Sequence, residues 1–296
     1  MRATCIGMKP VADIRITVRP AQPRDISAAG ALIRPFVARG DLLPRSAEEL
    51  ASFLPHAFVA VVDGEVAGFV ALEIYSRKLS EIQCLSFGET PLAPEIVREL
   101  VRHCAQRARE HAVLEMMAVV AATLEEVLKT CGFDYALPHQ KRAMFVRPHL
   151  VDPRWSMNPL SKVTIGDAAM HDWPAVVEFL APFVARGEVL RRSPTELAHL
   201  LRDGFVAKAE GRIVGFVALE IYSEKLAEIQ CLSVDDAYRG QGIGRRLVMR
   251  CVQRANENHV AEAMAISSRE DLFKSCGFDS CLPGAKTALF CRTREE

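Results

Sequence analysis

The stretch YRGQGIGRR, Tyr238 to Arg246, places glycines at 240, 242 and 244, directly after an apolar β-branched run and at the head of a helical pattern. A helix start leaves backbone N–H groups without intrahelical partners and carries partial positive charge, and glycine lets an anion reach them without a Cβ in the way. The chemistry on offer is phosphate or diphosphate binding. The spacing is RxxGxG, Arg239 to Gly244, which is neither a Walker loop nor the dinucleotide fingerprint GxGxxG. A glycine-rich turn without a ligand is the other reading of the same residues. In the run before it, Glu228 stands between Ala227 and Ile229, and a desolvated carboxylate suits a general base. Ser267 ends a later run and suits the N-cap of a helix starting at Arg269. Cys231, three residues from Glu228, falls on the opposite face of an ideal strand unless a bulge intervenes.

These groups need a strand–loop–helix frame. Val163–Ile165 reads as a short strand, and Asp172–Ala185 as an amphipathic helix capped by Asp172. A second helix starts at Ser193, with Glu196 at capping-box spacing. Three strands follow, Phe205–Ala209, Ile213–Ile221 and Ala227–Val234, the first two joined by the hairpin signal EGR. After the glycine turn a helix runs from Ile243 to about Asn256, with Ile243, Leu247, Val248 and Cys251 on its apolar face. A strand at Ala263–Ile266, a short helix ending at Cys276-Gly277 and a strand near Thr287–Cys291 complete the order β-α-α-β-β-β-α-β-α-β. The class is α/β (α+β), a mixed, mostly antiparallel sheet flanked by helices.

The same unit is written twice. The stretch from Phe36 through EIQCLS recurs from Phe183 with roughly two thirds of positions identical. The offset, 183 − 36 = 147, holds from about Ile16/Val163 to Gln106/Gln253, then slips by two residues so that Cys131 meets Cys276. The expected domains are 14–147 and 161–292, with the proline-bearing segment 148–160 as linker. In the first copy the glycine turn is replaced by GETPLAPEIV, Gly88 to Val97: the glycines of the turn are gone, Pro91 and Pro94 remove N–H donors, and Glu95 adds a repelling charge. That copy is expected to lack the anion site. It keeps Arg45, Glu81, Cys84 and Lys141-Arg142, so it reads either as a structural partner or as an amino-acid effector pocket.

Composition narrows the classes. The 296 residues hold 37 basic and 37 acidic side chains, which gives no electrostatic reason to expect nucleic acid or an anionic membrane as partner. No apolar run reaches the roughly 20 residues of a membrane span. The start MRATCIGMKP lacks a secretory apolar core and reads as a flexible tail of a cytoplasmic protein. Nine cysteines without a CxxC pair read as reduced thiols, and eight scattered histidines give no metal site. A homodimer stays open, because the duplication could itself replace one.

The RxxGxG turn, at this point in this strand order, resembles the GNAT superfamily of acetyltransferases. The resemblance implies that acetyl-CoA is the cofactor. Backbone amides of Arg239, Gly240, Gln241, Gly242, Ile243 and Gly244 would hold its diphosphate, and N–H groups near Leu232 and Val234 would polarise the thioester carbonyl. The strings AEIQCLSV (227–234), DLFKSCGF (271–278) and LPGAK (282–286), with GDLLPRSAEEL in the first copy, resemble the acetyltransferase domain of N-acetylglutamate synthases. That resemblance makes Glu228 the base, through water, and Ser267 the acid. It puts Phe273 where many relatives carry a tyrosine acid, and sets Arg191 and Arg192 on the α-carboxylate of a small amino acid, leading candidate glutamate. Lys286, Arg292 or Arg294 would take the acceptor's side-chain carboxylate. Another small amine or a peptide terminus as acceptor, or a non-catalytic acetyl-CoA sensor, are the alternatives.

Overall fold

The computed structural model describes residues 15–137, 140–151, 163–282 and 286–293. Two units divide the chain: unit 1 takes residues up to Tyr135 and from Pro283 onward, and unit 2 takes Ala136–Leu282. In unit 1, β1 (Ile16–Pro20), α1 (Ile26–Ala38), α2 (Ala47–Phe53), β2 (Ala57–Val62), β3 (Glu65–Ile74), β4 (Leu79–Phe87), α3 (Ala93–Glu110), β5 (Glu115–Val120) and α4 (Ala122–Thr130) follow in order. Unit 2 opens with β6 (Arg142–Val146), β7 (Thr164–Asp167), α5 (Trp173–Ala185), α6 (Pro194–Leu201), β8 (Gly204–Ala209), β9 (Arg212–Ile221) and β10 (Leu226–Val234). It continues with α7 (Ile243–Glu257), β11 (Glu262–Ser267), α8 (Glu270–Lys274) and the two-residue β12 (Cys281–Leu282), after which β13 (Lys286–Arg292) belongs to unit 1. The elements read from the second copy are met within a few residues.

The strands of unit 1 are ordered β1-β2-β3-β4-β5-β13, and the long strands of unit 2 β6-β11-β10-β9-β8-β7. β4–β5 and β10–β11 are parallel, and the other long pairs antiparallel. The structural units therefore differ from the chain-order division 14–147 and 161–292. The closing strand of each repeat completes the other repeat's sheet: β13 pairs with β5 from Thr287↔Val120 to Arg292↔Glu115, and β6 pairs with β11 from Ala263↔Val146 to Ser267↔Arg142. The exchange is permitted because the two strands carry nearly the same apolar pattern. Met144 and Leu289, at matching places in the repeat, are both fully buried. Of the expected linker, Pro148–Leu150 forms a single 3-10 turn, while 152–160 lie outside the described residues, as does the expected tail at 1–14.

Helices cover both faces of each sheet. In unit 2, α7 buries Ile243, Leu247, Val248, Cys251 and Val252 on one face, and α5 and α6 bury Val176, Leu180, Leu197, Leu200 and Leu201 on the other. Gly215 in β9 allows the close approach of α7, since a Cβ there would meet Leu247 Cδ1 at 3.0 Å. The capping box at α6 forms, with Ser193 Oγ accepting from Glu196 N at 3.3 Å and Glu196 Oε2 accepting from Ser193 N at 2.8 Å. Asp172 does not cap α5 with its side chain; it accepts from Ala169 N at 3.1 Å and pairs with Lys208 Nζ at 2.6 Å. Among the described residues no helix is long and apolar enough to cross a membrane.

Candidate active site

The glycine turn joins the end of β10 to α7. Asp235 Oδ1 accepts from Ala237 N at 2.9 Å, a one-turn 3-10 helix spans Asp236–Tyr238, and the chain then takes positive φ at Gly240 (+77°) and Gly242 (+80°). Such angles require glycine in practice. Gly242 is the N-cap of α7, whose first turn receives no side-chain cap. No atom lies within 4 Å of a Cβ built on Gly240 or Gly242, so the turn faces open space. Gly244 differs: its added Cβ would make ordinary contacts with Leu272 at 3.6 Å and Val234 at 3.7 Å. Ile243 anchors the turn by its buried side chain. Gln241 is exposed, and the Arg239 guanidinium is tied to Asp236 at 2.8 Å and Glu188 at 3.4 Å. These residues fit a bound diphosphate through their backbone rather than through the Arg239 charge.

Strand β10 carries two irregularities. Its pairing with β9 shifts between Gln230 and Ser233, and Cys231 within the shift has φ +56°. Its parallel ladder with β11 ends at Ile229↔Ala265, although β11 continues beside β6 as far as Ser267. Residues 230–234, including the half-buried Leu232 and Val234, thus run free of that ladder, so β10 and β11 are unpaired there. The bulge also settles Cys231. It packs with the α5/α6 core, opposite Ile229 on the α7 side, and so shares the face of Glu228.

On that face lies a polar network. Glu228, 1% exposed, accepts from Tyr222 Oη at 2.6 Å and from Gln230 Nε2 at 3.1 Å. Gln230 Nε2 also donates to Glu220 and to Tyr222 Oη, and its Oε1 accepts from Arg192 Nη2. Burial, followed by the Glu228 and Glu220 charges, pushes the Tyr222 hydroxyl well above its ordinary pKa, so it stays a proton-bearing donor to Glu228. Burial disfavours the Arg192 charge, but Cys231, Glu228, Glu220 and Tyr222 around it hold its pKa above the ordinary arginine value. Arg192 Nε is buried with no hydrogen-bond partner among the described residues.

Arg191 is exposed and Arg192 joins the network; the two are not a matched pair. Ser267 Oγ accepts from Arg269 N at 3.0 Å, a turn bond ahead of α8 and not a cap: the N-cap of that helix is Arg269, and no side chain caps it. Phe273 is buried against Phe278 with ring centroids 5.2 Å apart. Lys286 and Arg292 both lie on β13, which pairs with β5 in the sheet of unit 1. Repeat register puts Lys141 and Arg147 at the matching places in unit 2 (286 − 141 = 145; 292 − 147 = 145), and Arg142 sits opposite Ser267 in the ladder. Arg294 lies outside the described residues. Sequence reasoning missed Tyr222, Glu220 and Gln230. Their signal was the period-2 pattern ExY…ExQ on two strands of one hairpin, identical in both copies.

A family model described as the acetyltransferase (GNAT) family matches residues 171–278. An uncharacterized N-acetyltransferase of Chlorobaculum tepidum is 31% identical over 120 residues, covering 40% of this chain and 77% of that protein. The chain belongs to the GNAT family of N-acetyltransferases. An amino-acid acetyltransferase of Pseudomonas fluorescens is 27% identical over 132 residues, 43% of this chain and 31% of that protein, so the chain spans about a third of the length of such relatives. Among solved structures, a GCN5-related N-acetyltransferase from Sphaerobacter thermophilus covers 95% of this chain and 96% of its own at TM-score 0.60 and 18% identity. A tandem GNAT protein from the clavulanic acid biosynthesis pathway covers 95% of this chain and 100% of its own at TM-score 0.52 and 13% identity. Both share the fold.

Proposed function

We propose that this enzyme transfers the acetyl group of acetyl-CoA to the amino group of a small amino acid, with glutamate the leading acceptor. One observation carries the reading: β10 holds the buried Glu228 near its start and leads into the open glycine turn at its end, so base and anion cradle share one strand. Acetyl-CoA supplies an activated thioester. Amides from Arg239 to Gly244 hold its diphosphate, the pantetheine arm lies along the unpaired stretch of β10, and N–H groups near Leu232 and Val234 polarise the thioester carbonyl. Glu228, fixed by Tyr222 and Gln230, takes the proton of the acceptor ammonium directly or through water, and Ser267 protonates the departing thiolate. One N–C bond forms as one C–S bond breaks. Arg192, with Arg191 at the rim, binds the acceptor's α-carboxylate. Lys141, just ahead of β6, and Arg142, its first residue, take the acceptor's side-chain carboxylate from within unit 2.

The names of the Pseudomonas relatives support an amino acid as acceptor. A second reading, transfer to another small amine or a peptide terminus, is favoured by the Chlorobaculum relative, whose name gives N-acetyltransferase with no amino-acid acceptor. Incubation with acetyl-CoA and pooled free amino acids, read by product mass and thiol release, tests both. An acetylated amino acid supports the first reading. Tight coenzyme A binding with no product from amino acids or other amines would overturn both in favour of a sensor.

A further inference from the structure

We infer that unit 1 holds a second ligand site, one that binds a small α-amino acid without acetylating it. The polar network of unit 2 recurs there side chain for side chain, at the repeat offset of 147: Arg45, Glu73, Tyr75, Glu81 and Gln83 stand for Arg192, Glu220, Tyr222, Glu228 and Gln230. The contacts recur as well. Tyr75 Oη donates to Glu81 at 2.5 Å and to Glu73 at 3.2 Å, Gln83 Nε2 donates to Glu73 at 3.0 Å, and Arg45 Nη2 donates to Gln83 Oε1 at 3.4 Å. The bulge recurs with Cys84 at φ +56°. Beyond it Ser86 Oγ, like Ser233 Oγ, is buried with no hydrogen-bond partner among the described residues, on the strand face that Glu81 and Gln83 share.

The anion cradle does not recur. No residue between Gly88 and Leu92 has positive φ, Thr90 occupies the amides of Leu92 and Ala93, and Pro94 stands in the first turn of α3. Drift has thus erased the cradle while leaving intact a set of two carboxylates, a phenol, an amide and a guanidinium, with Glu81 and Gln83 buried and Arg45, Glu73 and Tyr75 half-buried. Polar sets withdrawn from water are often no more stable than apolar packing of the same volume, so a purely structural copy gains little by keeping one. The ligand chemistry follows from the groups. Carboxylates and phenol oxygen recognise an ammonium, and Arg45 recognises a carboxylate. Its present partner Glu49 is 48% exposed, an ion pair weak enough for a ligand to displace.

The inference rests on reading the matching network of unit 2 as the acceptor site, and the test separates the two. Titration calorimetry on the full chain, with L-glutamate and then each other standard amino acid, compares the wild type with the double variant Arg192→Ala/Glu228→Gln. The double variant should still bind a single amino acid per chain. Adding Arg45→Ala, or the near-isosteric Glu81→Gln, should weaken that residual binding at least tenfold while coenzyme A affinity is unchanged. No residual binding in the double variant, or residual binding indifferent to both unit 1 substitutions, would overturn the second site. Loss of coenzyme A binding or turnover in the wild type bears instead on unit 2.

Discussion

Gly242→Asp separates the charge of the glycine turn from its shape. Gly242 sits at φ +80° as the N-cap of α7, and a Cβ there meets nothing within 4 Å. A left-handed non-glycine residue costs roughly 1–2 kcal/mol, with Asp and Asn the best tolerated, and both are good N-caps, so the fold should survive. The effect on ligand is larger. One carboxylate about 5 Å from a doubly charged diphosphate is repelled by about 2 kcal/mol in water-like dielectric and by about 7 kcal/mol at an effective dielectric of 20. The turn is exposed, so the lower figure sets the floor, roughly thirtyfold in Kd. Gly242→Asn is the control, matching shape and backbone without charge. Calorimetry with coenzyme A at low salt should show the Asp variant at least thirtyfold weaker than the Asn variant, and the gap should narrow as the Debye length falls toward about 3 Å near 1 M salt. Equal affinities at low salt would remove this turn as the diphosphate site.

Glu228→Gln should leave coenzyme A affinity unchanged and lower kcat by roughly 10²–10⁴-fold; undiminished turnover would take Glu228 out of the proton transfer. Truncation after Leu282 removes β13, with its buried Leu289 and Phe290, from unit 1 but leaves β6 in unit 2. Hydrogen exchange should therefore quicken at β5 while coenzyme A still binds, and the opposite pattern would refute the exchange of closing strands. The Arg19 guanidinium, at 2.6 and 2.8 Å, holds the Asp25 carboxyl below its ordinary pKa against the opposing effect of burial. A depressed folded-state pKa contributes stability above the unfolded value of about 3.9, and that contribution is lost as pH falls through the folded value. Asp25→Asn should thus cost about 2 kcal/mol in urea melts at pH 7. The gap to wild type should close in strong acid, and a gap independent of pH would show that the charge is not what matters.

Local pattern made much of this legible. The period of the apolar residues and the capping box at Ser193 placed α6 and α7 to within a few residues. The glycine turn was legible because positive φ at Gly240 and Gly242 is a local demand that leaves a compositional mark. Glu228 stood out as a charge inside an apolar run. Tyr222 did not, because a tyrosine near a strand end looks ordinary until the hairpin brings it onto the carboxylate.

The chain's own residues thus determined the duplicated fold, the glycine turn of the second copy and its loss from the first, since each rests on contacts between near neighbours in sequence. Tertiary structure alone decided which strand closes which sheet. β6 and β13 offer nearly the same apolar face, the two pairings bury the same kind of surface, and no local rule distinguishes them. For that reason Lys286 and Arg292, which the sequence offered as carboxylate partners, lie on the sheet of unit 1, and Arg142 stands opposite Ser267.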